Sequence, residues 1–259
     1  METAIVKQMN RSKNTRFAAR SFDKRFGFTW TELCVCLAIL VVVVALLLPV
    51  TRGGSREAAR RMQCSNNLKQ IGLALHNYEQ QYKMLPPAYT VDADGKRMHS
   101  WRTLILPFLE QTDLYNKVDF SKAWDDPANE AVRGEIVSVY RCPANKGAAG
   151  ETTYLAIVGE KNVLRPLHGR AFSEIVDGTS NTVMVYEADT TQAVHWMSPH
   201  DASEETFVSS NEKSKTVHTG GRNTCMADGS VRFIFKDISS EVSQALATVD
   251  GHDQPPAEH

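Results

Sequence analysis

The sequence lacks the short motifs that mark the common classes of enzymes. It contains no Gly-x-Ser-x-Gly nucleophile elbow, no P-loop, no His-Glu-x-x-His and no paired Cys-x-x-Cys motifs. Such motifs position a nucleophile, a phosphate group or a metal ion, so their absence lowers the odds of hydrolase, nucleotide-dependent and zinc-dependent activity. We therefore expect a protein that is not an enzyme and that uses no cofactor.

Net charge is also scarce. The 259 residues include 29 Lys and Arg against 30 Asp and Glu, which gives a formal net charge of −1. Proteins that bind nucleic acid usually carry a basic surface, so we expect no nucleic-acid partner. The charge is uneven, however, because residues 1–27 hold seven basic residues and only two acidic ones. Basic flanks of a membrane segment stay in the cytoplasm, so the N-terminus is expected there and the body outside.

Residues 33–50 contain no charged residue. About 20 apolar residues are needed to cross a bilayer, so residues 28–50 are predicted to form a transmembrane helix. An ordinary secretory signal has a shorter apolar core followed by an Ala-x-Ala-like cleavage site, and no such site follows here. Glu32 is the one acid at the start of this segment. A carboxylate in a membrane helix is costly, so Glu32 is predicted to have a function.

The apolar run is framed by Gly27, Phe28, Thr29, Glu32 and Pro49. This pattern resembles the class III signal of type IV pilins and type II secretion pseudopilins. The resemblance implies that a prepilin peptidase cuts between Gly27 and Phe28, removes the cytoplasmic leader and methylates the new N-terminus. It also implies that Glu32 guides assembly with like subunits. The alternatives are an uncleaved signal anchor and an ordinary secretory signal.

After this segment, apolar residues recur at spacings of three and four between positions 56 and 82. They are Cys64, Leu68, Ile71, Leu75, Tyr78 and Tyr82. Such a stripe is typical of a helix with one buried face, so residues 51–84 are predicted to form a helical stem that packs on a globular body. Leu85-Pro86-Pro87 ends the helix, because the residue before a proline is biased away from helical backbone angles.

The body, residues 85–250, is predicted to be the exported globular domain, followed by a disordered tail at 251–259. Short strands are predicted at residues 137–142, 153–158, 182–187 and 194–197, with a final hairpin at 224–227 and 230–235. Residues 199–215 are polar and predict a loop. The fold class is therefore α+β, with a long N-terminal helix, membrane-spanning in its first half, packed on a loop-rich antiparallel sheet.

Several stretches of the body are longer and more specific than these patterns. They are residues 60–78, residues 99–111, Cys142-Pro143, residues 177–182, and His218 followed by Asp228-Gly229. They resemble large pseudopilin-like proteins with a DUF1559 domain, over nearly the whole chain after Gly27. The resemblance implies a pilin-type fold, in which a helical spine lies on an antiparallel sheet. The biochemical role of that family is poorly defined, so the resemblance implies architecture more than activity.

The five cysteines fall into two groups. Cys34 and Cys36 lie in the apolar run and are interpreted as plain apolar residues. Cys64, Cys142 and Cys225 belong to the exported part, where disulfides form. Cys64 lies on the helical stripe, and Cys142 ends a predicted strand before a proline, so a Cys64–Cys142 bond would tie the helix to the sheet. Cys225 is the competitor for either partner, and two free buried thiols are the remaining alternative.

His218, Asp228 and Gly229 form an H-x9-DG element near the C-terminus. Two interpretations are open. The imidazole and the carboxylate could form a ligand or metal site, or Asp228-Gly229 is a type I′ hairpin turn and His218 pins the incoming loop. We predict the structural role and no metal ion. Residues 92–95 resemble the start of a calcium loop but lack its final bidentate acid, so they are interpreted as a turn.

Two functions from different classes are compatible with these patterns. The first is a structural subunit of a type II secretion or type IV pilus-like system, in the inner (cytoplasmic) membrane with a single pass and a periplasmic or cell-surface body. Its partners would be prepilin peptidase, like pseudopilin subunits, secretion-system assembly proteins and membrane lipid. The alternative is a pilin-anchored module that binds a glycan or an exported protein, with residues 199–215 as its contact surface.

Overall fold

The structure is a computed structural model that describes residues 29–47, 53–213 and 217–251. The predicted leader, the cleavage site between Gly27 and Phe28, and the tail from residue 252 onward lie outside these ranges. The chain divides into two compact units, residues 1–50 and residues 51–259. The second unit contains the predicted stem and the globular body.

The first unit contributes one described helix, α1 (Trp30–Leu47). Thr29 and Glu32 form a capping box at its start. The Thr29 backbone N–H and hydroxyl each donate to Glu32 Oε2 at 2.9 Å, and the Glu32 N–H lies 3.4 Å from Thr29 Oγ1. These bonds satisfy donors that a first helical turn leaves without a partner. Within the described ranges, no helix combines the length and the apolar character needed to cross a membrane.

The second unit begins with the long helix α2 (Gly53–Tyr82), which lies within the predicted stem of residues 51–84. The predicted stripe is its buried face, because Cys64, Leu68, Ile71 and Leu75 have no exposed surface. Tyr82 departs from the prediction and is 50% exposed, since the helix runs past the body at this end.

Among the residues of the body that the structure describes, there are five further helices and eight strands. The helices are α3 (Trp101–Leu104), α4 (Thr112–Tyr115), α5 (Glu130–Arg133), α6 (Glu204–Lys213) and α7 (Ser240–Ala247). The strands are β1 (Tyr89–Val91), β2 (Arg97–Ser100), β3 (Glu151–Thr152), β4 (Tyr154–Ala156), β5 (Val183–Glu187), β6 (Val194–His195), β7 (Gly221–Met226) and β8 (Val231–Phe235). Short 3-10 turns occur at Leu106–Leu109, Pro127–Asn129, Ser138–Tyr140, Phe172–Glu174 and Thr190–Gln192.

The main sheet is antiparallel and has the order β4-β5-β7-β8, and two small antiparallel pairs, β1-β2 and β3-β6, flank it. Helix α2 covers one face, and α6 and α7 cover the other. Every residue of β5 and β7 is buried, because side chains alternate between two covered faces. Cys225 faces the α2 side and Met226 the α6–α7 side. The predicted α+β class is confirmed.

Helix α2 approaches the sheet closely at Gly72. A Cβ atom at this position would lie 2.8 Å from Cys225 Sγ and 3.4 Å from the Gly229 Cα. Because glycine has no side chain, the helix can pack closely against β7 and the loop that follows it.

Two predicted elements differ in the structure. Residues 137–142 were expected to form a strand, but Ser138–Tyr140 is a 3-10 turn, which lets Val137 and Tyr140 point into the same core. Residues 199–215 were expected to be a loop, but they contain α6. The Ser203 hydroxyl accepts the Thr206 N–H at the start of this helix, and Phe207 is its buried anchor. The composition of residues 199–215 predicted a loop because it is polar, and the large buried apolar side chain described in α6 is that of Phe207.

The final hairpin is present, but its turn differs from the type I′ prediction. That turn requires positive φ at both central residues, whereas only Gly229 has a positive φ, at 81°. The Gly229 N–H donates to the Met226 carbonyl, and the Met226 N–H donates to the Ser230 carbonyl. The connection is thus a three-residue loop with a left-handed glycine at its end. Asp228 stabilises it by accepting the Ser230 N–H at 2.8 Å.

Candidate functional site

The two halves of the H-x9-DG element have separate surroundings. Asp228 and Gly229 form the hairpin loop, where Gly229 packs beside the ring of His76. His218 lies before β7 with only 1% of its side chain exposed, and it forms an isolated antiparallel bridge with Gly221. His218 contacts Glu57, Glu187 and Cys142, which belong to a different cluster from the hairpin loop.

Two carboxylates hold the ring of His218. Its Nδ1 lies 2.8 Å from Glu57 Oε1 on α2, and its Nε2 lies 3.3 Å from Glu187 Oε2 at the end of β5. The ring therefore connects the helix on one side of the core to the central sheet. Sequence analysis had not assigned either acid to a site.

Cys64 and Cys142 form a disulfide beside this ring, with their Cα atoms 5.3 Å apart. They are the pair that the sequence singled out, and Cys225 is a free buried thiol. Cys142 Sγ lies 3.9 Å from His218 Nε2. One ligand atom from each of Cys64, Cys142, Glu187 and His218 lies within 4.8 Å of the others, and all four residues are buried. We call these four residues the His218 cluster.

Glu187 is the most constrained member of the cluster. Its side chain is fully buried, and its Oε2 accepts a hydrogen bond from the Asn223 amide at 3.0 Å. Its other oxygen, Oε1, is buried without a hydrogen-bond partner among the residues that the structure describes. A buried carboxylate is costly unless it is paired and hydrogen-bonded. The cluster therefore has one acceptor atom that the protein itself leaves unused.

Burial and the neighbouring carboxylates act on the pKa of His218 in opposite directions. Burial of the ring opposes protonation, but the hydrogen bonds and negative charges of Glu187 and Glu57 outweigh this effect and raise the pKa of His218 above its usual value. By contrast, burial raises the pKa of the Cys225 thiol to about 12. A thiol with so high a pKa is a poor nucleophile.

The other predicted site residues lie elsewhere. Glu32 caps α1, and Gly27 and Phe28 fall outside the described residues. The Asp92 carboxylate accepts the N–H groups of Asp94 and Lys96, so residues 92–95 are a closed turn, as predicted.

Sequence signals for the missed acids exist but are weak. Glu57 precedes Cys64 by two helical turns and so lies on the same face of α2. Glu187 ends an otherwise apolar strand, where a charged residue is unusual. Neither signal identifies a partner, because Glu57, Glu187 and His218 meet only in the folded body.

The fold and the cluster together define a class of protein. It is an α+β domain in which a long helix lies on an antiparallel sheet and a disulfide lies beside a buried histidine and two acids. Residues 54–170 match the model of a family described as Protein of unknown function (DUF1559). This segment is therefore similar to the DUF1559 family, in agreement with the resemblance seen in the sequence. No curated protein and no solved structure matches the chain. The matched segment includes Cys64 and Cys142 and ends before the other members of the His218 cluster.

Proposed function

We propose that the protein is a pseudopilin-like structural subunit of a type II secretion or type IV pilus-like system. A single helix anchors it in the inner (cytoplasmic) membrane with the N-terminus in the cytoplasm, and the body is periplasmic or at the cell surface. Prepilin peptidase cuts it between Gly27 and Phe28. Its further partners are like subunits, assembly proteins of the secretion system and membrane lipid.

The observation that carries the proposal is the sequence at the start of the apolar run. A basic leader ends at Gly27, and Glu32 is the only charged residue between Gly27 and Val50. This order resembles the class III signal of pilins and pseudopilins, which a prepilin peptidase processes. The helix-on-sheet architecture of the body is compatible with the same class of protein.

The surface of α1 supports an apolar environment. Large apolar residues follow each other along the helix, and each of the six consecutive residues 39–44 is large and apolar, with exposed fractions between 44% and 65%. Six consecutive residues cover more than one full turn, so this part of the helix is apolar all round. Such a helix needs lipid or other helices around it. The uncharged sequence continues to Val50, beyond the described part of α1.

Glu32 has a local role that bears on the proposed assembly. Its described hydrogen bonds to Thr29 use Oε2. The capping box fixes the carboxylate at the helix start, one helical turn from the N-terminus that cleavage would create at Phe28. We propose that the same carboxylate pairs with the methylated amine of Phe28 from a neighbouring subunit, because acids inside membranes usually pair.

Mass spectrometry of the mature N-terminus tests the processing. The expected mature chain begins at Phe28 with one added methyl group. A mature chain that still begins at Met1, or that begins beyond Val50, contradicts the proposal.

In-cell cross-linking tests the assembly. Single cysteines are placed between residues 33 and 48 in a background in which Cys34 and Cys36 are changed to Ala. We expect ladders of linked subunits, and we expect Glu32→Ala to reduce them while export is unchanged. Thr29→Ala is the matched variant, since it weakens the capping box and keeps the carboxylate. Ladders of equal intensity with and without Glu32 would refute the pairing with a neighbour.

A membrane-tethered binding module is the second candidate. A surface groove of about 430 Å³ lies between α6 and α7, in the region that the sequence had assigned to a contact loop. Its lining residues are Glu204, Glu205, Val208, Ser209, Ser240 and Gln244. Carboxylates, hydroxyls and an amide are groups that can bond to the hydroxyls of a glycan. Binding of a glycan by a chain that never forms cross-linked ladders would favour this candidate.

A further inference from the structure

We propose that the His218 cluster is a Zn²⁺ site in the thiol form of the chain. Cys64 and Cys142 would supply two thiolates, His218 one imidazole nitrogen and Glu187 one carboxylate oxygen. The disulfide form described above is then the oxidised counterpart of the metal-bound form. This inference depends only on the body of the protein and not on its proposed role in a membrane.

The first argument is the donor set. Zn²⁺ is usually bound by four ligands in a tetrahedron, and cysteine sulfur, histidine nitrogen and carboxylate oxygen are its protein ligands. With metal–ligand distances of about 2.0–2.3 Å, neighbouring ligand atoms of a tetrahedron lie roughly 3.3–3.8 Å apart. His218 Nε2 lies 3.3 Å from Glu187 Oε2 and 3.9 Å from Cys142 Sγ. Once the sulfur–sulfur bond is absent, only a small separation of the two sulfurs is required.

The second argument is the free acceptor on Glu187. Its Oε1 is fully buried and has no described partner, while Asn223 holds the other oxygen. A buried carboxylate with one oxygen lacking a hydrogen bond is costly, and a cation bound to the Glu187 carboxylate, through Oε2 or through both oxygens, would reduce that cost. Glu187 is the last residue of β5, so it is the ligand that the main sheet contributes to the cluster.

The third argument is the support of the histidine. A histidine that binds a metal commonly donates its second ring N–H to a carboxylate, which fixes the orientation of the ring. Glu57 Oε1 lies 2.8 Å from His218 Nδ1, so Nε2 is the nitrogen turned toward Cys142 and Glu187. Glu57 is therefore a positioning residue for the proposed site.

Oxidation of the two thiolates converts the metal-bound form into the disulfide form. In the metal-bound form two thiolates hold Zn²⁺. An oxidant of the disulfide class accepts two electrons from the thiolates and two protons from water and becomes two thiols, while the Cys64–Cys142 bond forms and Zn²⁺ leaves. The metal joins four segments of the body, whereas the disulfide joins two. A chain that has not yet been oxidised could thus hold the same core together.

Metal binding by the full chain in detergent tests the proposal. The chain carries Cys34→Ala and Cys36→Ala, and its disulfide is reduced with a phosphine and water, which yield the phosphine oxide and two thiols. After removal of the phosphine under argon, Zn²⁺ is added for native mass spectrometry and Co²⁺ for absorption spectroscopy. We expect one Zn²⁺ per reduced chain. The Co²⁺ form should show visible bands of tetrahedral cobalt together with thiolate-to-cobalt charge transfer.

Variants separate the site from general effects on folding. Glu187→Gln and His218→Ala should each weaken Zn²⁺ binding at least about 10-fold, and Glu57→Gln should weaken it roughly 10- to 100-fold, as expected for outer-shell partners. Cys225→Ala is the matched control, since this buried thiol lies outside the cluster, and it should leave binding unchanged. The oxidised chain should bind no Zn²⁺.

Three outcomes would overturn the proposal. They are a reduced chain that binds no Zn²⁺, a Co²⁺ spectrum without thiolate charge transfer, and binding that is equal in the parent, Glu187→Gln and His218→Ala chains. If His218→Ala fails to fold, Glu187→Gln still decides, because it changes one oxygen to an amide with nearly the same volume.

Discussion

Two of the buried charged clusters in the body differ in how completely their hydrogen bonds are satisfied. Arg102 and Asp201 form the first, which we call the Arg102 anchor, with an ion pair at 2.7 Å. All five guanidinium N–H groups of Arg102 are used, by Asp201 and by the carbonyls of Tyr154, Trp196, Ser198 and His200. The His218 cluster is equally buried, yet it leaves Glu187 Oε1 without a described partner.

The difference separates a structural cluster from a candidate site. Asp201 is as well satisfied as Arg102, since it also accepts the N–H groups of Trp101 and Ala156. Every N–H of the guanidinium and both oxygens of the carboxylate are hydrogen-bonded, so the role of this anchor is to hold residues 196–201 against α3 and β4. The His218 cluster combines an unused acceptor with two sulfurs and an imidazole. These atoms can act as metal ligands, and this property, rather than burial alone, supports the proposed metal site.

The largest expected effect concerns the disulfide of the His218 cluster. Its removal by Cys64→Ala with Cys142→Ala frees a loop of 78 residues. The chain-entropy model values this constraint at about 4.5 kcal/mol. We expect the free energy of unfolding, measured by denaturant titration with a chelator present, to fall by roughly that amount. Cys34→Ala with Cys36→Ala is the control and should cause no change. A loss below about 1 kcal/mol would mean that the cluster is not a structural tie.

The Arg102 anchor should be nearly as sensitive. Arg102→Met leaves the Asp201 carboxylate buried and unpaired, which typically costs about 3–5 kcal/mol. Denaturant titration should show this loss, and the added change Asp201→Asn should recover part of it by removing the uncompensated charge. Arg165→Met is the matched control. Arg165 pairs with the partly exposed Glu174 at 2.7 Å, and such pairs contribute about 0–1 kcal/mol. Equal losses for the two arginines would erase the distinction between anchor and surface pair.

A smaller effect is expected where α2 is seated on the sheet. Gly72→Ala places a methyl group against Cys225 Sγ, and overpacking of this kind costs about 1–3 kcal/mol. The better helix propensity of alanine offsets up to about 1 kcal/mol of that loss. We therefore expect a net destabilisation of about 1 kcal/mol, and Cys225→Ala in the same chain should relieve it.

Gly54→Ala is the control for this experiment. Nothing lies within 4 Å of the added methyl group there, so the substitution should stabilise the helix. If Gly72→Ala and Gly54→Ala have the same effect, then the close approach at Gly72 does not set the position of the helix that carries Cys64.

The sequence predicted the features that depend on local pattern. The 3.6-residue stripe identified the buried face of α2, and alternation with Asp228-Gly229 identified the final hairpin. The pattern failed where tertiary contacts override it, as in the turn at Ser138–Tyr140, whose Tyr140 hydroxyl donates to the Arg102 carbonyl at 2.7 Å. It singled out His218, with a structural role or a ligand site shared with Asp228 as the two interpretations. The carboxylates that contact the ring, Glu57 and Glu187, are 161 and 31 positions away in the chain, and no periodicity brings such residues together.

The smallest expected effect is a pH dependence that distinguishes His99 from the histidine of the His218 cluster. His99 is 1% exposed, and within the described part of the chain neither of its ring nitrogens makes a hydrogen bond of good distance and angle, although backbone carbonyls lie near the ring. Burial lowers its pKa, and the backbone carbonyls of Phe120 and Lys122 and the charge of Asp119 only partly oppose this. As the pH falls below about 6.5, the usual pKa of histidine, the unfolded chain binds a proton that the folded chain does not. The free energy of unfolding should therefore decrease on acidification, and His99→Leu should make this decrease less steep.

Denaturant titrations at a series of pH values between neutral and mildly acidic measure the slope. His168→Leu is the control, because that histidine is exposed and its replacement should leave the slope unchanged. A slope that His99→Leu leaves as steep as in the parent chain would show that His99 is not the buried neutral histidine described here.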